Sequence, residues 1–432
     1  MFLRSFKLFV AALTAALLSV ACGNGEPAPA PTGVLVSAGE SSATVTWNMV
    51  DGVEYWLFFG PSSVTPTTTA TMQGWFGLPF GNVILKASSP YTVTGLVNGT
   101  SYSFSINART NGGPGGPGSA PVTTTPRIAG ATWQAGSAVS AATDLRSVSY
   151  GATTATTTAV SVNTYVAAGT GGAIYSSPDG ATWSAVNYAS SANINAGAYF
   201  GTFKLVGDGG LVLLSSDAST WTSEVSGTNQ NLYAIASNSI NLNVAVGAKG
   251  TIISSVDGVT WTPAYSSGTT QDLYAVTYAA YNTGLWLAVG AGGAMVQSTD
   301  GLTWTSVPSN TQADLRGIVY GTIASSSTST STSTVVLSTS EFVAVGAGGT
   351  VLSSSDGASW TVQTLPGSGN LNAITCGTQY VTVGAGGNIF ISADGVSWTT
   401  TASATSQNLY AVARGGLAYS AVGAAGTNLL SK

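Results

Sequence analysis

Histidine is absent from all 432 residues. That absence excludes Ser-His-Asp and Cys-His nucleophilic catalysis, histidine-ligated metal sites and a histidine pH switch. Charge is also scarce. Asp, Glu, Lys and Arg make up 6% of the chain, against about 25% in ordinary soluble proteins. The 11 basic residues are outnumbered by 16 acidic ones. No basic stripe can be assembled from them, so no nucleic-acid partner is expected. Cysteine is limited to Cys22 and Cys376, which leaves stability to packing. What is abundant is small or apolar: 44% hydrophobic residues and 55 glycines, with Ser, Thr and Asn supplying most of the polarity. That mixture suits strands joined by tight turns and predicts an all-β chain.

The first 21 residues read as a secretory signal. Arg4 and Lys7 precede the apolar run Leu8–Leu18, and Ser19-Val20-Ala21 follow as a small-residue cleavage site. The run is too short to span a bilayer as a mature helix, which takes about 20 residues. Leu18-Ser19-Val20-Ala21-Cys22 resembles a bacterial lipobox, with the leucine at −4 instead of −3. The resemblance implies a diacylglyceryl group on Cys22, which would rule out an intrachain disulfide; ordinary cleavage beside an incidental cysteine is the alternative. Removing Arg4 and Lys7 takes two positive charges from the net −5 and leaves −7. Residues 22–30 then read as a lipid-anchored linker, flexible through Gly23–Glu26 and stiffer through Pro27–Pro31.

Residues 31–126 are expected to form a β-sandwich. Ala43–Trp47 alternates with Val45 and Trp47 on one face, Asp51-Gly52 marks a turn, and Glu54–Phe59 reads as the next strand. With Trp47, Leu96, Asn98-Gly99-Thr100, Tyr102 and Pro126, the segment resembles a fibronectin type III domain. The likeness implies a tyrosine corner from Leu96 to Tyr102. Gly74–Phe80 exceeds what that family needs. Its Trp75 and Phe76 either form an exposed aromatic loop that binds a sugar or protein, or pack as a lid.

Residues 127–432 repeat. Trp133, Trp183, Trp221, Trp261, Trp304, Trp360 and Trp398 are spaced 50, 38, 40, 43, 56 and 38 residues apart. Six follow a Ser-x-Asp hairpin, such as Ser298-Thr-Asp-Gly-Leu-Thr-Trp304, and each repeat has a glycine turn such as Val289-Gly-Ala-Gly-Gly293. In the fourth repeat the expected strands are Leu273–Tyr278, Leu285–Val289, Ala294–Gln297 and Thr303–Ser306. Four short strands per roughly 40 residues describe a β-propeller blade. The last repeat stops after its third strand at Leu429–Lys432, while Gly130-Ala131-Thr132-Trp133 matches Gly180-Ala181-Thr182-Trp183. The expected fold is therefore a seven-bladed propeller closed by an N-terminal strand in the last blade.

The hairpins resemble the Asp-box, or BNR repeat, of sialidase-type propellers, and with the Val-Gly-x-Gly-Gly turn the repeats look similar to photosystem II assembly factor-like propellers. The likeness speaks for fold, not activity. Asp179, Asp217, Asp257, Asp300, Asp356 and Asp394 recur once per blade, which marks them as structural acceptors of turn amides. A second ring, Asp144, Asn193, Asn231, Asp272, Asp314, Asn370 and Asn408, precedes the first strand and is expected to bond at that strand's start. One residue after the following Leu or Ile lies a variable ring: Arg146, Asn195, Tyr233, Tyr274, Arg316, Asn372 and Tyr410. These groups suit carboxylates, sugars or peptide backbone near one mouth of the channel; a polar plug without ligand is the alternative.

A sialidase would need an arginine triad. Arg146 and Arg316 could be joined by Arg414, but Arg414 lies four residues beyond the ring, and Glu224 and Glu341 fall outside the motifs. The carboxylates open to a two-carboxylate glycosidase, Asp144, Asp272 and Asp314, belong to the seven-fold Asx ring. No catalytic residues, metal ligands or cofactor are expected. Ser/Thr runs at Ala152–Thr158 and Ser325–Thr334 read as loop extensions, with glycan attachment a lesser reading. The sum is an exported, non-catalytic lipoprotein of the bacterial cell envelope, at the outer membrane or cell surface. It is expected to be a monomer that binds a protein or glycan, or scaffolds assembly. A carbohydrate-active propeller, glycan-binding or glycoside-hydrolysing, is the alternative.

Overall fold

The computed structural model describes residues 27–63, 82–137, 139–154, 161–238, 240–280, 284–326, 336–416 and 418–431. Cys22, Trp75 and Phe76 lie outside them, as do residues 155–158 and 327–334 of the Ser/Thr runs. The chain divides into two compact units, Met1–Ile128 and Ala129–Lys432.

The first unit is a two-sheet β-sandwich. Leu35–Gly39, Ser42–Thr46 and Tyr91–Thr94 form a three-stranded sheet. Val53–Pro61 and Tyr102–Thr110 pair at the centre of a four-stranded one, flanked by Asn82–Ile84 and Val122–Thr124. The alternation read around Trp47 is realised: Val45 and Trp47 are buried, packed with Tyr55, Leu57, Phe104 and Ile106. The phenol of Tyr102 accepts the Val97 amide at 3.1 Å, so the corner expected at Leu96–Tyr102 is formed.

The second unit contains seven four-stranded antiparallel sheets among the described residues. Blade 4 has strands Leu273–Ala279, Leu285–Gly290, Met295–Ser298 and Thr305–Ser306, within about two residues of the sequence reading. Blade 7 is split. Leu409–Gly415, Ala418–Gly423 and Asn428–Ser431 come from the C-terminal end, and its outer strand is Gln134–Ala135. The split hairpin keeps the bonds of an intact one. The Gly130 amide donates to Ser431 Oγ at 2.8 Å, as the Gly180 amide donates to Ser177 Oγ at 2.8 Å. Ser431 Oγ in turn donates to the Thr132 carbonyl, where the intact hairpins use an aspartate.

The six aspartates are turn acceptors. In blade 3, Asp257 Oδ1 accepts from Ser255 Oγ, the Val259 amide and the Thr260 amide at 2.7–2.9 Å. Those amides hold its carboxyl down to about 2. The Thr303 amide leads the same downward shift at Asp300, and the Ser359 amide at Asp356. The unfolded chain therefore binds more protons in acid, and this contribution, complete above pH 3.8, disappears as the pH falls towards 2. Asp257→Asn should flatten the decline of the melting temperature between pH 4 and 2; an unchanged slope would remove these hairpins as the cause. Trp261, Trp304, Trp360 and Trp398 are buried beside the hairpins, each donating Nε1–H to its hairpin glycine carbonyl at 3.0–3.2 Å.

The ring of seven Asx residues differs from expectation. Each side-chain oxygen bonds across the blade boundary, to the glycine turn of the preceding blade, and not at the start of its own strand. Asn193 accepts the Gly171 amide, Asn231 that of Gly209, Asp272 that of Lys249 and Asp314 that of Gly292. Asn370 accepts from Gly348, Asn408 from Gly386 and Asp144 from Ala425, all at 2.8–3.0 Å. The last bond joins blade 1 to blade 7. The main chain of the same residues serves their own blade: the Asp272 carbonyl accepts the Ala291 amide at 2.9 Å.

The seven-residue cavity at the propeller mouth

The first strand of each blade is registered by its Leu or Ile, buried at 0% exposure in all seven cases. Immediately after it the ladder with the second strand shifts. In blade 3, Leu232 pairs with Gly247 and Ala234 with Val246, so Tyr233 has no partner. The same slip leaves Arg146, Asn195, Tyr274, Arg316, Asn372 and Tyr410 unpaired. Every member of the variable ring thus occupies a β-bulge, a geometry that re-aims one side chain. With no cross-strand neighbour to satisfy, that position is free to differ between blades.

All seven bulge residues line one cavity of about 550 Å³, floored by the small residues that follow them, including Ser147, Ala234 and Gly317. Such a volume is typical of ligand sites. The ring position read from sequence is therefore brought together as a site. Arg414, Glu224 and Glu341 do not line it; the Arg414 guanidinium instead donates to the Gly416 carbonyl at 3.2 Å.

The ring is not seven independent groups. Arg146 Nη1 donates to Asn195 Oδ1 at 2.9 Å, while Asn195 Nδ2 donates to the Leu232 carbonyl of the next blade at 3.0 Å and to Asp208 Oδ1 at 2.9 Å. Arg316 Nη1 donates to Asn372 Oδ1 at 3.2 Å, and Asn372 Nδ2 donates to the Leu409 carbonyl at 2.8 Å. Each asparagine is fixed on both sides and orients an arginine. Blades 1-2-3 and 5-6-7 therefore carry the same Arg-Asn-Tyr order, with Tyr274 the extra member. The order is visible in the sequence, but that each asparagine braces an arginine depends on blade-to-blade packing.

Arg146 has no carboxylate within 4.0 Å among the described residues, and Arg316 has only Asp314, at 3.9 Å, with both side chains more than a third exposed. Tyr233 and Tyr274 stack obliquely, ring centroids 5.7 Å apart. Burial, reinforced by Asp272 and Asp314, pushes the Tyr274 phenol up and keeps it neutral. The cavity thus combines two oriented cationic forks with a neutral aromatic wall. Forks of this kind hold carboxylates in bidentate fashion.

Residues 29–125 match the fibronectin type III domain family. No curated protein matches the chain. Among solved structures, YCF48 bound to D1 peptide is similar at 14% identity and a TM-score of 0.53, over 69% of this chain and 96% of that one. A catalytically inactive virginiamycin B lyase from Staphylococcus aureus with quinupristin is similar at 9% identity and a TM-score of 0.56, over 70% of this chain and 99% of that one. At such identities the likeness shows the propeller fold.

Proposed function

We propose that the propeller is a non-catalytic binding or scaffolding module that captures a carboxylate-bearing partner in the mouth cavity, most simply an acidic segment of another protein. The observation that carries this reading is the pair of asparagine-braced arginines on unpaired bulges, Arg146 with Asn195 and Arg316 with Asn372. Fold requirements account for the Asx ring, the glycine turns and the Ser-x-Asp hairpins; they do not account for these two pairs. In a chain of net charge −5, two guanidinium groups facing one cavity favour an acidic guest. YCF48, whose structure was determined with a D1 peptide, gives a precedent for peptide binding on such a propeller. The proposal includes kinship of the hairpins with Asp-box (BNR) repeats and of the whole propeller with photosystem II assembly factor-like proteins. It also includes export, lipidation at Cys22, a monomeric state and a place at the bacterial envelope, with the sandwich as spacer. A carbohydrate-active role is the weaker reading, because the third arginine and the glutamates it needs stand away from the cavity.

The test is the double substitution Arg146→Gln with Arg316→Gln. One charged hydrogen-bonding partner contributes about 1.5–3 kcal/mol, or roughly ten- to a hundred-fold in affinity. Pull-down from solubilised envelope should lose the partner while the melting temperature is kept. Capture by the double variant, or its unfolding, would make the ring structural.

A further inference from the structure

A repetition within the ring narrows the guests that suit the mouth cavity. Arg146, Asn195 and Tyr233 stand on blades 1-2-3, and Arg316, Asn372 and Tyr410 on blades 5-6-7. The two triads are bonded alike. In each, the arginine gives Nη1 to the asparagine of the next blade. That asparagine gives Nδ2 to the carbonyl of the leucine directly before the triad's tyrosine, Leu232 in one case and Leu409 in the other. The fold repeats from blade to blade, whereas this triad recurs after four, so ring closure alone does not call for it. The brace occupies only Nη1. The Nε and Nη2 side of both forks makes no hydrogen bond among the described residues, and a fork so placed can take a carboxylate.

The halves differ in one respect. Asp314 also lines the cavity. Its Oδ2 stands 3.9 Å from Arg316 Nη2, and its Oδ1 accepts the Gly292 amide. Arg146 has no such competitor within 4.0 Å among the described residues. Four other blades hold an asparagine at the Asp314 position, Asn193, Asn231, Asn370 and Asn408, each accepting the same turn amide.

Building on the reading of this cavity as a carboxylate site, we propose that its guest is a short acidic peptide segment presenting two carboxylates, which the two forks hold at the same time. A guest with one carboxylate fills one triad and leaves the other open. Joining two such groups raises affinity most when their spacing matches the span between the forks.

Calorimetric titration of the full chain with acetyl-Glu-(Gly)n-Glu-amide peptides of increasing n, beside the monoacids with Gln in place of either Glu, tests this. At a matching spacing the diacid should bind one per propeller and at least about ten-fold tighter than either monoacid. Arg146→Gln and Arg316→Gln, made singly, should each bring the diacid down to the monoacid level. Asp314→Asn should tighten diacid binding about two- to five-fold, the worth of removing an exposed ion-pair competitor. A gain of binding cannot come from misfolding, so this variant guards the test against a destabilised arginine mutant. The proposal is overturned if the diacid has no advantage at any spacing, if either single arginine substitution leaves its affinity unchanged, or if Asp314→Asn brings no gain. If monoacids bind and need the arginines while the diacid has no advantage, the carboxylate reading stands and only the pairing is lost. If no peptide binds, both fall.

Discussion

Replacing Gly290 by alanine is expected to cost about 4 kcal/mol or more, at the exceptional end for a single substitution. The residue is extended, at φ −168°, so backbone conformation is not the obstacle. A Cβ at Gly290 would stand 1.8 Å from the Asp272 carbonyl oxygen. That oxygen cannot rotate away, because it accepts the Ala291 amide and belongs to the residue whose side chain holds blade 3. The clash therefore separates the first and second strands of blade 4 and loosens its neighbour together. At about 2 °C per kcal/mol for a unit of this size, the propeller melting temperature should fall by roughly 8 °C or more. Gly292→Ala is the matched control. Gly292 has φ +59° and open space around its Cα, and Lys249 and Ala425 occupy the same turn position at φ +55° and +52°. Its cost should stay near 1–2 kcal/mol. Equal losses from the two substitutions would refute the steric account.

Deleting Ala129–Ser137 should abolish cooperative folding of the propeller. The segment buries Ala129 and Trp133 and pairs Gln134 with Leu430 and Ala135 with Leu429. It also receives Gln379 Nε2 on the Ala129 carbonyl and Thr401 Oγ1 on the Ala131 carbonyl, at 2.6 and 2.7 Å. Loss of one buried tryptophan costs about 3–5 kcal/mol, and each hydrogen bond about 0.5–1.5 kcal/mol. The sum approaches the whole stability of a typical protein, about 5–15 kcal/mol. The Asn428–Ser431 strand would be left as an open edge, a template for association. Calorimetry should show the propeller transition gone and light scattering should rise with concentration, while a synthetic peptide of residues 127–137 restores the transition. A preserved melting temperature would show that closure rests on other contacts.

The frame of the propeller was readable because its elements repeat. The tryptophan after each hairpin, the glycine turn and the Gly130–Trp133 copy of Gly180–Trp183 locate seven blades and their closure without coordinates. The variable ring was readable for the opposite reason, as seven unlike residues between constant neighbours. What the chain does not display is any relation that crosses a blade boundary. Asn193 and Gly171 are bonded because two wedges meet around an axis, and nothing in either residue's local pattern says so. Asn195 and Asn372 look like free recognition groups until the packing shows both amides engaged. Lys204 looks like an ordinary polar residue in an alternating strand, yet it is buried, with its side chain lying close against Gly258 of the next blade.

The bulges separate two kinds of inheritance. Residues in the ladder answer to the fold, and the Leu or Ile before each bulge and the small residue after it are constrained accordingly. The seven bulge residues answer to no partner strand, so each can change without disturbing the hydrogen bonds that close the ring. Such an arrangement is evolvable in a specific sense. A duplicated blade arrives already folded, and its contribution to the cavity can be rewritten by one codon. Laboratory diversification of the seven bulge codons should accordingly yield folded variants at high frequency, with the two asparagine braces the main source of interdependence.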